Sequence, residues 1–150
     1  MLNVGDKAPP FTLAAGDGTS IALKDLKGKK VVIYFYPKDN TSGCTKEACA
    51  FQEYLSSVKK KGAVVLGVSA DSAESHARFA SKYALSFPLL SDEKKEMLKA
   101  YGVWKEKSMY GRKYMGIERT TFIIDETGKI SHIFPKVKVD GHVNEVLAVL

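Results

Sequence analysis

The sequence predicts an α/β fold with a mixed central sheet and helices on both faces. Three observations carry that prediction. Two near-continuous apolar runs, Val31–Tyr36 and Ala63–Ser69, are each followed by a stretch of helical periodicity. A further pair of short apolar runs, Thr120–Ile124 and Ile130–Phe134, is joined by the turn sequence Asp125-Glu126-Thr127-Gly128. The chain has 150 residues, 45% hydrophobic and 27% charged, which suits one hydrophobic core and one domain over residues 1–150.

The elements follow in order. Ala8–Leu13 and Ser20–Leu23 flank the turn Gly16-Asp17-Gly18 and read as extended chain, paired as a hairpin. Val31–Tyr36 is β-branched and aromatic throughout, as a strand buried on both faces must be, and Pro37 stops it. After Asn40-Thr41-Ser42-Gly43, the residues Ala48, Phe51, Leu55 and Val58 share one helical stripe. Lys59, Lys60 and Lys61 complement the helix C-terminus, and Gly62 lies past its end. Ala63–Ser69 is the second buried strand. Asp71 or Ser72 caps a helix that runs to Tyr83, and His76 on that helix is expected to be solvated. Phe87–Leu90 is extended. Ser91-Asp92 caps a helix through Met97, Leu98 and Tyr101 that Gly102 ends. After the strand pair, Val143–Leu150 closes the chain as a short amphipathic helix. Between Trp104 and Glu118 the pattern assigns no element, and Trp104, Tyr110 and Tyr114 fit a pocket mouth, the core or a surface loop equally. A thioredoxin-like arrangement accommodates this order.

Composition narrows the function classes. No apolar run approaches the roughly 18 residues of a membrane span, and the N-terminus has no signal-peptide pattern, so a cytoplasmic location and no membrane partner are expected. The net charge of +6 comes from lysines scattered beside turns and on helix surfaces. No face clusters cations with interleaved aromatics, so nucleic acid is not an expected partner. Neither a phosphate-loop pattern nor a zinc-ligand spacing is present, and no metal or organic cofactor is expected.

The chemistry concentrates at Cys44, where a buried strand gives way to a helix. The first helical turn presents unpaired N–H groups and the positive end of the helix dipole, and both favour a thiolate, the nucleophilic form of cysteine. On the helical wheel Cys44 aligns with the apolar stripe, and Cys49 lies nearer Gln52, Glu53 and Ser56. Five residues of helix turn by about 500° and rise about 7.5 Å. A disulfide wants Cα atoms roughly 4.4–6.8 Å apart, so this pair can bond only if the first turn or more unwinds. A hydroperoxide would convert Cys44 to sulfenic acid, which Cys49 could attack after local unwinding.

The segment Pro37-Lys38-Asp39-Asn40-Thr41-Ser42-Gly43-Cys44 matches the P-x-x-x-T-x-x-C signature of peroxiredoxins. Its continuation to Cys49, the opening Gly5–Phe11, and the stretches Tyr101–Trp104 and Tyr110–Asp125 resemble the bacterioferritin comigratory protein, or peroxiredoxin Q, branch. The resemblance implies a thiol-dependent peroxidase of hydroperoxides. It assigns Cys44 as the peroxidatic cysteine and Cys49 as the resolving one. Pro37 would shield the pocket, the Thr41 hydroxyl would hydrogen-bond peroxide and thiolate, and Arg119 would be the cationic donor at the sulfur. It also implies reduction by thioredoxin or a similar dithiol, and a monomer. Many relatives carry proline where this chain has Ser42, a departure that removes no assigned chemical group. Two other enzyme-like readings use the same cysteine pair: a thiol–disulfide oxidoreductase, which would favour Cys-x-x-Cys, and a redox sensor. A basic binding module is the non-enzymatic alternative.

Overall fold

Alternation along one strand organises the molecule. The computed structural model describes residues 1–150, and its central strand buries every residue from Val31 to Phe35. Val31, Ile33 and Phe35 enter one apolar cluster, while Val32, Tyr34 and then Tyr36 enter another on the opposite face. Each such side chain removed from water contributes about 1.5–3 kcal/mol, which is why the run forms a strand covered on both sides.

The strands are β1 (Thr12–Ala15), β2 (Ser20–Ala22), β3 (Lys30–Phe35), β4 (Ala63–Ser69), β5 (Leu89–Ser91), β6 (Trp104–Met109), β7 (Arg112–Ile117), β8 (Thr120–Ile124) and β9 (Ile130–Phe134). The helices are α1 (Ser42–Glu53), α2 (Leu55–Lys60), α3 (Ala73–Tyr83), α4 (Glu96–Ala100) and α5 (His142–Ala148). Seven strands form one mixed sheet in the order β2-β1-β5-β4-β3-β8-β9, and β6 and β7 form a separate ribbon. β3 and β4 run parallel, and β8 runs antiparallel to β3 with Thr120 opposite Phe35. Buried residues of α1, α2, α3 and α5 fill one core, and Met97 and Leu98 of α4 enter the other. The arrangement is the predicted thioredoxin-like α/β sheet with helices on both faces.

Four details differ from the sequence reading. The long helix after Cys44 is interrupted at Tyr54, whose ψ of 10° separates α1 from α2, although Val58 still donates to the Tyr54 carbonyl. The helix expected from Ser91-Asp92 starts only at Glu96, because Ser91 is used in β5 and the Asp92 carboxylate accepts from the Leu98 N–H at 2.8 Å. The unassigned stretch from Trp104 is the β6–β7 hairpin. Tyr110 and Gly111 both have positive φ, the requirement of a two-residue type I′ turn, which Asn-Gly would have advertised more clearly.

The fourth difference is His76, which is fully buried rather than solvated. Its Nδ1 lies 2.7 Å from Asp39 Oδ2 and its Nε2 lies 2.9 Å from the Leu90 carbonyl oxygen. Asp39 also accepts from the Tyr36 hydroxyl (2.6 Å) and the Ser75 hydroxyl (2.8 Å). Asp71 accepts from the Asp39 N–H and the Ser69 hydroxyl. Asp39, Asp71 and His76 converge closely enough to suggest a metal-ligand set. Their facing atoms are instead spent on one another and on these neighbours, so the cluster ties the loop after β3 to α3, β4 and β5.

Candidate active site

The loop from Tyr36 to Thr41 delivers the chain from β3 to α1. Tyr36 N–H donates to the Val68 carbonyl, Pro37 sits exposed at the bend, and Asn40 takes a left-handed conformation with φ of 60°. Thr41 is the N-cap residue in extended geometry, but its hydroxyl donates to the Lys38 carbonyl at 3.0 Å and caps no helical N–H. The first backbone bond of the helix runs from Thr45 N–H to the Thr41 carbonyl (2.8 Å). The N–H groups of Ser42, Gly43 and Cys44 precede it and have no intrahelical acceptor.

Cys44 is therefore in the first turn, buried, with its stripe-mates Ala48 and Phe51; Cys49 is half-buried on the flank. Both thiols are free. The wheel geometry inferred from sequence is the one observed.

Arg119 reaches this turn through sheet topology. It immediately precedes β8, whose first residue lies opposite the last residue of β3, so a residue remote in sequence stands at the exit of the strand that leads to Cys44. Arg119 Nη2 donates to Cys44 Sγ at 3.3 Å, and Nη1 donates to Glu47 Oε1 at 2.6 Å. The planar fork of the guanidinium allows both bonds at once. A Cβ on Gly43 would sit 3.3 Å from Nη2, so the glycine leaves the room that the guanidinium occupies.

Glu47 went unassigned in the sequence, although a signal existed: it is the only acidic residue three positions from Cys44, and i, i+3 residues share a helix face. Its side chain is 1% exposed, and Oε2 has no hydrogen-bond partner. Burial pushes its carboxyl up to about 7 despite the facing guanidinium. Burial works against the Arg119 charge, but Glu47 and Cys44 outweigh it and hold the guanidinium more firmly protonated than usual. His142 lies behind the site, its Nε2 2.8 Å from the Thr121 hydroxyl, and burial lowers its pKa. Burial and the charge of Arg119 likewise lower Lys107, on β6.

Of the five residues singled out from sequence, the structure brings together Cys44 and Arg119 directly and keeps Cys49 in the same helix. Thr41 and Pro37 belong to the approach loop, and the Thr41 hydroxyl is bonded to the Lys38 carbonyl rather than to the sulfur.

The sequence model of the AhpC/TSA family matches residues 4–133. A Coxiella burnetii protein of the bcp peroxiredoxin type is 57% identical over 146 residues, covering 97% of each chain. The crystal structure of a cysteine-to-serine mutant of Xylella fastidiosa PrxQ superposes with a TM-score of 0.95 at 40% identity, covering 99% of this chain and 95% of that one. A structure of the Xanthomonas campestris bacterioferritin comigratory protein, described for its alkyl peroxide reduction activity, gives 0.89 at 44% identity over 93% and 88% of the two chains. The chain thus belongs to the AhpC/TSA family and, within it, to the bacterioferritin comigratory protein/peroxiredoxin Q group of peroxiredoxin enzymes.

Proposed function

We propose that this thiol peroxidase works through Cys44, with Cys49 as the resolving thiol and Arg119 as the charged donor. The Cys44 thiolate attacks one oxygen of a hydroperoxide. The O–O bond breaks, Cys44 becomes a sulfenic acid, and the other oxygen takes a proton and leaves as water or an alcohol. Arg119 and the free N–H groups of the first helical turn lie where negative charge gathers on sulfur and on the departing oxygen, the place where fixed donors help most. The bond from Arg119 Nη2 to Cys44 Sγ is the observation that carries this reading.

The second step joins Cys49 to Cys44 and expels the sulfenic oxygen as water. It requires the start of α1 to unwind. That turn is weakly held: it has no side-chain cap, no acidic residue, and a glycine at its second position. The disulfide then accepts two electrons and two protons from an outside dithiol, thioredoxin or a similar protein, through a mixed disulfide. Both cysteines lie on one helix, so a monomer completes the cycle, and a reducing compartment such as the cytoplasm keeps it supplied. Alkyl hydroperoxides join hydrogen peroxide as substrates by analogy with the Xanthomonas relative. The Thr41 hydroxyl reaches the sulfur or the peroxide by turning from the Lys38 carbonyl, and Pro37 screens the loop from solvent.

The test mixes reduced protein with one equivalent of hydrogen peroxide and follows free thiols and intact mass. Loss of both thiols and of about two mass units, without a dimer, is expected. Cys44→Ser abolishes the reaction, and Cys49→Ser stops it after one oxidation. A Cys44→Ser protein that still consumes peroxide would sink the assignment.

A further inference from the structure

The β6–β7 hairpin carries four of the seven exposed large apolar side chains of the molecule: Met109, Tyr110, Tyr114 and Met115. A two-stranded ribbon is marginal in water on its own, and exposed apolar groups gathered on one face mark an interaction site; Met109 and Tyr114 share a face, Tyr110 sits in the turn and Met115 lies on the opposite face. The two faces of the ribbon differ. Trp104 and Ile117 pair on one face and root the hairpin in the core. On the other face Lys105 pairs with Gly116, Lys107 with Tyr114 and Met109 with Arg112, giving three cations around an aromatic and a thioether. The face is built: the Lys107 stem and the Tyr114 ring close over Gly116, where a Cβ would meet them at 3.2 and 3.4 Å, and Lys105 is fastened to Glu118 at 2.9 Å.

This face adjoins the cysteine site. The ribbon runs through Ile117 and Glu118 straight into Arg119, which touches Cys44. Lys107 is near enough to Arg119 and Cys44 for their charges to act on it. Six-residue strands at about 3.3 Å per residue make an arm of about 20 Å beside the place a reductant must reach.

We propose that this face, built on Lys105, Lys107, Met109, Arg112 and Tyr114, is the docking surface for a protein dithiol reductant with an acidic rim around its cysteine pair. The inference rests on the dithiol-recycled cysteine mechanism proposed above. Charge complementarity selects the occupant. A second copy of this chain, at net charge +6, would bring the same cations against these, whereas an acidic partner is drawn in and oriented by them.

The experiment compares peroxide turnover driven by an acidic thioredoxin with turnover driven by dithiothreitol, for the wild type, Arg112→Glu and Tyr114→Ser. Arg112→Glu is expected to lower kcat/KM for thioredoxin about tenfold at low salt and to flatten its salt dependence, the mark of a steering charge. Tyr114→Ser is expected to lower it about fivefold at every salt concentration, as loss of an apolar anchor does. The dithiothreitol-driven rate and the rate of the first thiol oxidation stay at wild-type values in both. Equal losses with both reductants, no loss with thioredoxin, a wild type that thioredoxin does not reduce, or sedimentation showing that the variants dissolve a dimer would each overturn the docking surface. A wild type that fails with dithiothreitol as well removes the recycling mechanism itself, a separate result that takes the docking surface with it.

Discussion

Two buried acid–base pairs stand at the two ends of the loop-and-turn that holds Cys44, and they are built differently. Asp39–His76 is complete: both aspartate oxygens accept hydrogen bonds, and each ring nitrogen of His76 lies within hydrogen-bond distance of an oxygen. Glu47–Arg119 is incomplete: one carboxylate oxygen is buried without a partner, and one arm of the guanidinium is spent on sulfur. For Asp39, burial alone would raise the pKa, but the hydrogen bonds from His76, Tyr36 and Ser75 and the charge of His76 prevail and lower it. For Glu47 burial prevails and the carboxyl rises to about 7. A saturated pair makes an anchor. An unsaturated one leaves a buried carboxylate oxygen without a donor while the guanidinium also serves the sulfur, at a cost in stability that the surrounding fold offsets.

The largest expected effect breaks the second pair. Arg119→Ala should slow oxidation of Cys44 by peroxide about 100-fold, the scale of losing one fixed donor to developing charge, as read by stopped-flow fluorescence or thiol loss. Arg119→Lys should recover little of that rate, since an ammonium lacks the fork that reaches Cys44 and Glu47 together. A rate within a fewfold of wild type for Arg119→Ala would mean that the guanidinium only supports the fold.

Breaking the first pair should act on stability instead. His76→Ala takes one partner from the buried Asp39 carboxylate, which keeps the Tyr36 and Ser75 hydroxyls, and should cost about 1–3 kcal/mol in urea unfolding. Its effect on the first oxidation of the remaining folded protein should be small by comparison. An equal loss of rate would erase the distinction between anchor and site.

The two carboxyls also predict opposite pH dependences. Glu47 binds its proton more tightly in the folded state than in the unfolded one. Its contribution to stability therefore declines as pH rises from about 4.5 to about 7, by at most about 1.4 kcal/mol per pH unit, and is level above that. Asp39 is depressed, so its contribution is present above the ordinary value of about 3.8 and is lost as pH falls through the lowered one. Denaturant titrations at stepped pH should show the descending slope between 4.5 and 7 in the wild type and its absence in Glu47→Gln. The same slope in both proteins would assign it elsewhere.

The smallest effect concerns the Tyr34 hydroxyl, the other buried polar atom without a partner, packed close over Gly67 and Leu89. Tyr34→Phe removes a desolvated group that makes no bond and should leave stability unchanged or raise it by up to about 1 kcal/mol. A clear loss would reveal a hydrogen bond to water at that position.

The strands, most helices and the cysteine geometry were legible because each is a local pattern. An unbroken β-branched and aromatic run needs cover on both faces, a stripe at three- and four-residue spacing needs one face buried, and a helix beginning just before Cys44 sets the direction of Cys49. The hairpin was missed because its strands are charged and mostly exposed and its turn is Tyr-Gly. His76 was misread because a histidine between polar neighbours on a helix looks solvated until its partner is known.

What the chain determined by itself is thus the order of its elements, the placement of Cys44 in a first helical turn, and the need to unwind that turn before the two thiols can meet. These follow from dihedral preference, periodicity and helix pitch, which act over a few residues. What only the tertiary structure decided is which distant charges stand beside the sulfur. Antiparallel pairing of β8 with β3 carries Arg119 to Cys44 and Glu47, and packing of α3 on the sheet carries His76 to Asp39. Burial then sets the behaviour of each pair, because the cost of a charge depends on every group around it, and that surrounding exists only once the chain has folded.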